Sequence, residues 1–179
     1  MNAHAALRAA TRDAHDRLDT LFQRCDLAER DDYSLFLVAH AAALIPIEDA
    51  LGRAGAARLV EGWDDHRRSP LLERDLGEMN LPLPSPFAAP DYRGDAEVIG
   101  GAYVLEGSRL GAAVLAPTVG PEFSRHFLSA RPGPRRWRQF VERLEHYLPS
   151  PVERERAGRA ALKTFECFED AAGMVMGQS

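Results

Sequence analysis

Residues 95–115 read DAEVIGGAYVLEGSRLGAAVL. Asp95 opens an apolar helix that runs to about Leu115 and is ended by Pro117 and Gly120. Gly100, Gly101, Gly107 and Gly111 interrupt it, and each glycine inside a helix costs about 0.8–1 kcal/mol against alanine. Gly100, Gly107 and Gly111 fall near one face, at steps of seven and four, and leave a stripe of bare backbone. Something flat or bulky can lie against such a stripe, and close packing of a second helix uses the same small residues. Glu106, Ser108 and Arg109 sit among these glycines, odd in a purely steric seam but useful for organising water beside a ligand.

The same periodicity extends outward in both directions, with no convincing alternating strand pattern. Leu7, Ala10, Ala14, Leu18 and Leu21 mark a first amphipathic helix. Asp31 or Asp32 can cap a second, whose apolar face runs Phe36, His40, Ala43, Ile47, Leu51, with Pro46 expected to bend it. Ser69-Pro70 reads as cap and first position of a short third helix. Residues 81–94, LPLPSPFAAPDYRG, form an extended connection. A further helix begins near Pro134 and continues to Leu148, and Ser150-Pro151-Val152-Glu153 is a capping box for the last one. The expected fold is an all-α helical bundle, with residues 1–179 as one domain.

Composition narrows the function. The net charge of −5 argues against nucleic acid as a partner, and all basic residues but Lys163 are arginines, suited to bidentate carboxylate contacts. Cys25 and Cys167 show neither a disulfide framework nor a zinc pattern. The N-terminus reaches charged residues too soon for a signal peptide, and Glu106 and Arg109 break the longest apolar stretch, Val98 to Val119. The expected setting is a reducing cytoplasm, with no membrane span.

Two segments carry the chemistry. In LRAATRDAHDRLDTLF, residues 7–22, His15 lies beside the apolar side, one turn from Leu18. Arg8 and Arg12 share a broad helical side with it. A lone histidine here is also a common hydrogen-bonded boundary residue, and His40 shares that ambiguity. A metal-binding histidine beside two carboxylate-binding cations matches heme, with iron at its centre and two propionates at its edge.

Together, LRAATRDAHDRLD and YVLEGSRLGAA resemble the heme oxygenase family, in its bacterial biliverdin-producing subgroup. The resemblance implies heme held between the first, proximal helix and a kinked, glycine-rich distal helix. It makes His15 the axial iron ligand, binding as a neutral imidazole. Gly107 and Gly111 would crowd bound O₂ toward a meso carbon, with Ser108 anchoring water where mammalian relatives carry an aspartate. Arg8, Arg12 and Tyr103 would meet the propionates. Arg138 matches a basic residue of the penultimate helix approximately, and Arg135, Arg136 or Arg143 could take its place. Phe165 would line the apolar side.

The implied reaction takes heme, O₂ and electrons to biliverdin, carbon monoxide and ferrous iron, so heme is both substrate and cofactor. An external donor such as a ferredoxin or its reductase would supply electrons, and a phytochrome could accept the bilin. A heme carrier of the same fold is the alternative. A related helical enzyme acting on a thiamine-like substrate would need a cysteine or carboxylate nucleophile, for which Cys25 and Cys167 lack a motif.

Overall fold

The computed structural model describes residues 2–130 and 133–177, and every regular element among them is helical. The helices are α1 (Ala3–Phe22), α2 (Arg30–Arg53), α3 (Ala56–Leu59), α4 (Ser69–Glu78), α5 (Asp95–Leu115), α6 (His126–Ser129), α7 (Pro134–Tyr147) and α8 (Pro151–Gly177). Several begin where the local signals place them. Asn2 caps α1, its side-chain oxygen accepting from the Ala5 N–H at 2.8 Å. At α8, the Ser150 N–H donates to Glu153 at 3.0 Å and the Glu153 N–H returns to Ser150 Oγ at 3.3 Å, completing the expected box.

Two helix starts differ from expectation because a tertiary partner supplies the cap. Ser69 is the first residue of α4 and does not cap it. Buried Glu48 of α2 instead accepts from the backbone N–H groups of Arg68 (2.8 Å) and Ser69 (3.0 Å), and from the Ser69 hydroxyl at 2.5 Å. A carboxylate there satisfies two orphan donors and opposes the positive end of the helix. For α2, Glu29 holds the cap position without a side-chain bond; Asp32 turns back to accept from the Asp26 N–H at 2.7 Å. The one-turn helices α3 and α6 carried no sequence signal. Buried Asp75 places α6, accepting from the N–H groups of His126 and Phe127, both at 2.8 Å, and from Ser124 Oγ at 2.6 Å.

Pro46 lies inside α2 and has no N–H for the carbonyl of Ala42 one turn earlier. The N–H of Phe87 takes that carbonyl at 2.9 Å and docks the extended 81–94 connection on α2. Tyr92, near the end of the connection, bonds Thr164 of α8 through its hydroxyl at 2.8 Å.

The last helix, α8, is the spine, packing along α1, α2 and α5. Small residues bring α5 close to it: a Cβ built on Gly100 would stand 2.1 Å from the Ala157 carbonyl oxygen. Gly101 is blocked too, by Tyr92 at 2.6 Å and Leu51 at 2.9 Å. The N-terminal half of the glycine stripe is therefore a packing seam. Gly100→Ala should destabilise the ligand-free fold by about 3 kcal/mol, because backbone cannot yield as a side-chain tip can. An unshifted denaturation midpoint would contradict this. Segments Arg30–Arg53 and Asp95–Thr118 have the length and apolarity of membrane spans, yet more than half of each is buried inside this core.

Candidate functional site

Helices α1 and α5 both pack along α8, and Tyr103 of α5 reaches His4 and Thr11 of α1. On α1, the face bearing Leu7, Thr11 and Ala14 turns inward, which leaves His15 at its margin with its side chain 60% exposed. His15 Nδ1 lies 3.2 Å from an Asp19 carboxylate oxygen, one turn on. A proton on Nδ1 would face that carboxylate and leave the Nε2 lone pair for a metal. The buried Phe165 ring of α8 meets the imidazole edge to face, with centroids 6.1 Å apart. Among the described residues, no group of three or more His, Cys, Asp or Glu is placed to hold a bare ion. His15 therefore stands apart from any such cluster among the described residues.

The C-terminal half of α5 supplies a different kind of surface. A Cβ at Gly111 would meet nothing within 4 Å, and one at Gly107 would only touch the Trp137 ring, at 3.7 Å. Here the bare backbone is not explained by packing. Leu110 and Val114, on the same side, are exposed large hydrophobics. Ser108 is not a free water anchor: its hydroxyl donates to the Leu105 carbonyl at 2.8 Å and accepts from Arg68 at 2.5 Å.

Arg68, absent from the sequence expectation, is buried, and its guanidinium lies over the Phe127 ring at 4.9 Å. Burial lowers its pKa to about 9, with Arg109 adding repulsion and Glu48 and Glu106 opposing the shift. Its Nε is buried without a partner. His40 lies nearby among Phe22, Phe36, Phe127 and Phe168. Burial, seconded by Arg68, lowers His40 to about 4 against the Phe36 carbonyl, 2.8 Å from Nδ1. It is a neutral imidazole donating through Nδ1.

A third group gathers where α1, α5 and α7 meet. Tyr103 is buried on α5; burial raises its phenol, while the charge of Arg8 and a hydrogen bond with Thr11 pull the other way. The rings of His4, Tyr103 and Trp137 cluster, with centroids 5.7–6.2 Å apart. Arg8, Arg12 and Arg138 are exposed and form no ion pair among the described residues. Two alternatives to Arg138 are already engaged: Arg136 with Glu106 and Arg143 with Glu61 at 2.9 Å.

Glu106 and Arg109 form part of a buried ion network on another side of α5. Arg136 forks onto both oxygens of Glu106 at 2.8 and 3.0 Å, and Arg109 reaches the His66 carbonyl as well as Glu106. Burial pushes the Glu106 carboxyl up, but Arg136 and Arg109 outweigh it and hold it below the usual range. These two residues brace the helix. The distinct grooves on the surface lie elsewhere: one of 680 Å³ between α2 and the 81–94 connection, one of 530 Å³ beside Arg58 and His146.

No protein-family model matches the chain. Heme oxygenase PigA of Pseudomonas aeruginosa is 28% identical over 182 residues, covering 92% of this chain and 88% of the relative. A heme oxygenase of Xanthomonas campestris pv. campestris is 30% identical over 146 residues, covering 78% and 88%. The fold matches the crystal structure of the NO- and CO-bound heme oxygenase of Neisseria meningitidis with a TM-score of 0.83 and 22% identity, over 99% of this chain and 93% of that one. With matched sequence and an all-helical architecture in accord, this chain belongs to the heme oxygenase family.

Proposed function

We propose that the chain opens heme to biliverdin with release of carbon monoxide and ferrous iron, using O₂ and electrons from an external donor such as a ferredoxin or its reductase. The observation that carries this reading is the pairing of His15, oriented by Asp19, with a second helix whose Gly111 backbone is open. When bound, heme supplies the iron at which O₂ is activated and the meso carbon that is oxidised. The protein binds, orients and supplies protons.

His15 would hold the iron through Nε2 as a neutral imidazole, with its Nδ1 proton toward Asp19. The open backbone at Gly111, with Gly107 one turn before it, would leave room for a ligand of the iron. The Ser108 hydroxyl donates its proton to the Leu105 carbonyl and offers one lone pair to Arg68, so only its second lone pair would accept from a water. His40, neutral and enclosed by aromatic rings, excludes bulk solvent from behind this region. Phe165 covers the apolar side, and Arg8, Arg12, Tyr103 and Arg138 receive the propionates. The whole of 1–179 serves this one site, in the cytoplasm, and a phytochrome is a candidate acceptor of the bilin.

The propionate assignment predicts a specific loss. Charge-assisted contacts contribute about 1.5–3 kcal/mol when sheltered and less when solvated, and Arg8 and Arg12 are exposed. The double change Arg8→Ala and Arg12→Ala should weaken hemin binding roughly tenfold while leaving binding of the hemin dimethyl ester nearly unchanged. An unaltered ratio of the two affinities would place the propionates elsewhere.

The activity itself is tested by mixing purified protein with hemin and adding ascorbate in air. The Soret band should fade as bilin absorption grows. A heme carrier would keep its Soret band, and that result would overturn the reading.

A further inference from the structure

Helix α7 is clamped to α5 by two adjacent contacts. The Arg136 guanidinium is bidentate on Glu106, while its neighbour Trp137 lays its ring over Gly107, the neighbour of Glu106. Arg136 also donates to the Glu61 carbonyl at 3.0 Å, so its guanidinium is tied from two directions. Trp137 stacks on Phe140 from the same helix, with centroids 6.1 Å apart and planes 26° apart. The indole is therefore held as a half-buried plate in contact with Gly107 and with the rings of Tyr103 and His4.

Its place makes it more than packing. Gly107 gives up a Cβ that would have met the Trp137 ring at an ordinary 3.7 Å, so the indole did not require a glycine there. Tyr103, near Arg8, and Gly107 stand one turn apart on α5, and Trp137 lies against both. A flat tetrapyrrole held by one axial histidine is free to turn about the iron–histidine axis unless its edge meets a wall. Which meso carbon faces the activated oxygen depends on that turn.

We propose that Trp137 is a specificity-determining residue: its indole, anchored through the Arg136–Glu106 pair, forms the edge wall that fixes the in-plane orientation of the tetrapyrrole and hence the meso carbon cleaved. Arg136 acts through it as a positioning residue. The inference rests on the heme oxygenase reading above.

The test compares wild type with Trp137→Met, which fills the volume without a flat face, and Trp137→Phe, which restores one. Two readouts are taken: proton NMR of the heme methyl groups in the cyanide-bound ferric complex, and the isomer composition of the bilin. Trp137→Met should raise the minor seating and the minor isomer about fivefold, the scale of one lost aromatic contact, and Trp137→Phe should reverse most of the change. Arg136→Lys leaves the ring in place but loosens its anchor, and should shift both ratios the same way to a lesser degree. It carries the test alone if the Met variant does not fold. A purely structural role would lower the melting temperature without moving either ratio, and unchanged ratios in the folded variants overturn the inference alone. A wild-type protein that binds no hemin or forms no bilin overturns the underlying reading, and this inference with it.

Discussion

His15→Ala should reduce bilin formation to the background rate of free hemin while leaving the bundle folded. The imidazole is largely exposed at the margin of α1, and its contacts are Asp16, Asp19 and the edge of Phe165, so its removal opens no core cavity. Exposed substitutions of this kind usually alter stability by no more than about 0.5 kcal/mol. Binding would lose its one directional metal bond, and the apolar and propionate contacts would hold hemin in a heterogeneous, unligated state. Added imidazole should restore part of the activity, since the missing group can be supplied from solution. Asp19→Asn is the companion change. Loss of a carboxylate behind a metal-bound histidine typically costs about 10–100-fold, so this variant should fall between wild type and His15→Ala. Full activity in His15→Ala would remove the proximal assignment.

Gly111→Ala should produce an opposite pair of effects. A methyl at this position meets nothing within 4 Å, and alanine is the better helix former. The ligand-free protein should therefore gain up to about 1 kcal/mol. Under the proposed mechanism that same methyl projects where oxygen and its water are held. Bilin formation should drop roughly tenfold, about 1.4 kcal/mol of barrier. Thermal melts of the ligand-free protein, set beside single-turnover spectra, separate stability from chemistry. A destabilised fold with unchanged turnover per folded molecule would reassign Gly111 to packing, as Gly100 already is.

That contrast between two glycines shows where sequence reading stops. Gly100 and Gly111 sit in one helix near one face, and nothing local separates them. The difference lies in what stands opposite: the Ala157 carbonyl for one, open space for the other. Signals that act within a few residues were legible, among them Asp95 at the start of α5, Pro134 at the start of α7 and the capping box at Ser150. Caps supplied across the fold were not, and so Glu48 at α4 and Asp75 at α6 went unread.

The candidate site divides in the same way. His15, Tyr103, Phe165, Gly107 and Gly111 were named through motif resemblance, and the fold places them on α1, α5 and α8. Asp19 stands four residues after His15, a spacing that could have flagged it. Arg68 could not have been singled out. It is one of two adjacent arginines, and only the packing of α2, α5 and α6 decides which of them is buried against Ser108 and Phe127.

The central claim is that His15, with Asp19 beside its Nδ1, is the iron ligand of this chain. Resonance Raman spectroscopy of the ferrous heme complex tests it most directly, because the iron–histidine stretch reports the bond itself. The wild-type complex should show the stretch of a neutral, hydrogen-bonded imidazole. It should shift in Asp19→Asn, vanish in His15→Ala and reappear when imidazole is added. A wild-type spectrum without this band, or one that His15→Ala leaves unchanged, would contradict the account.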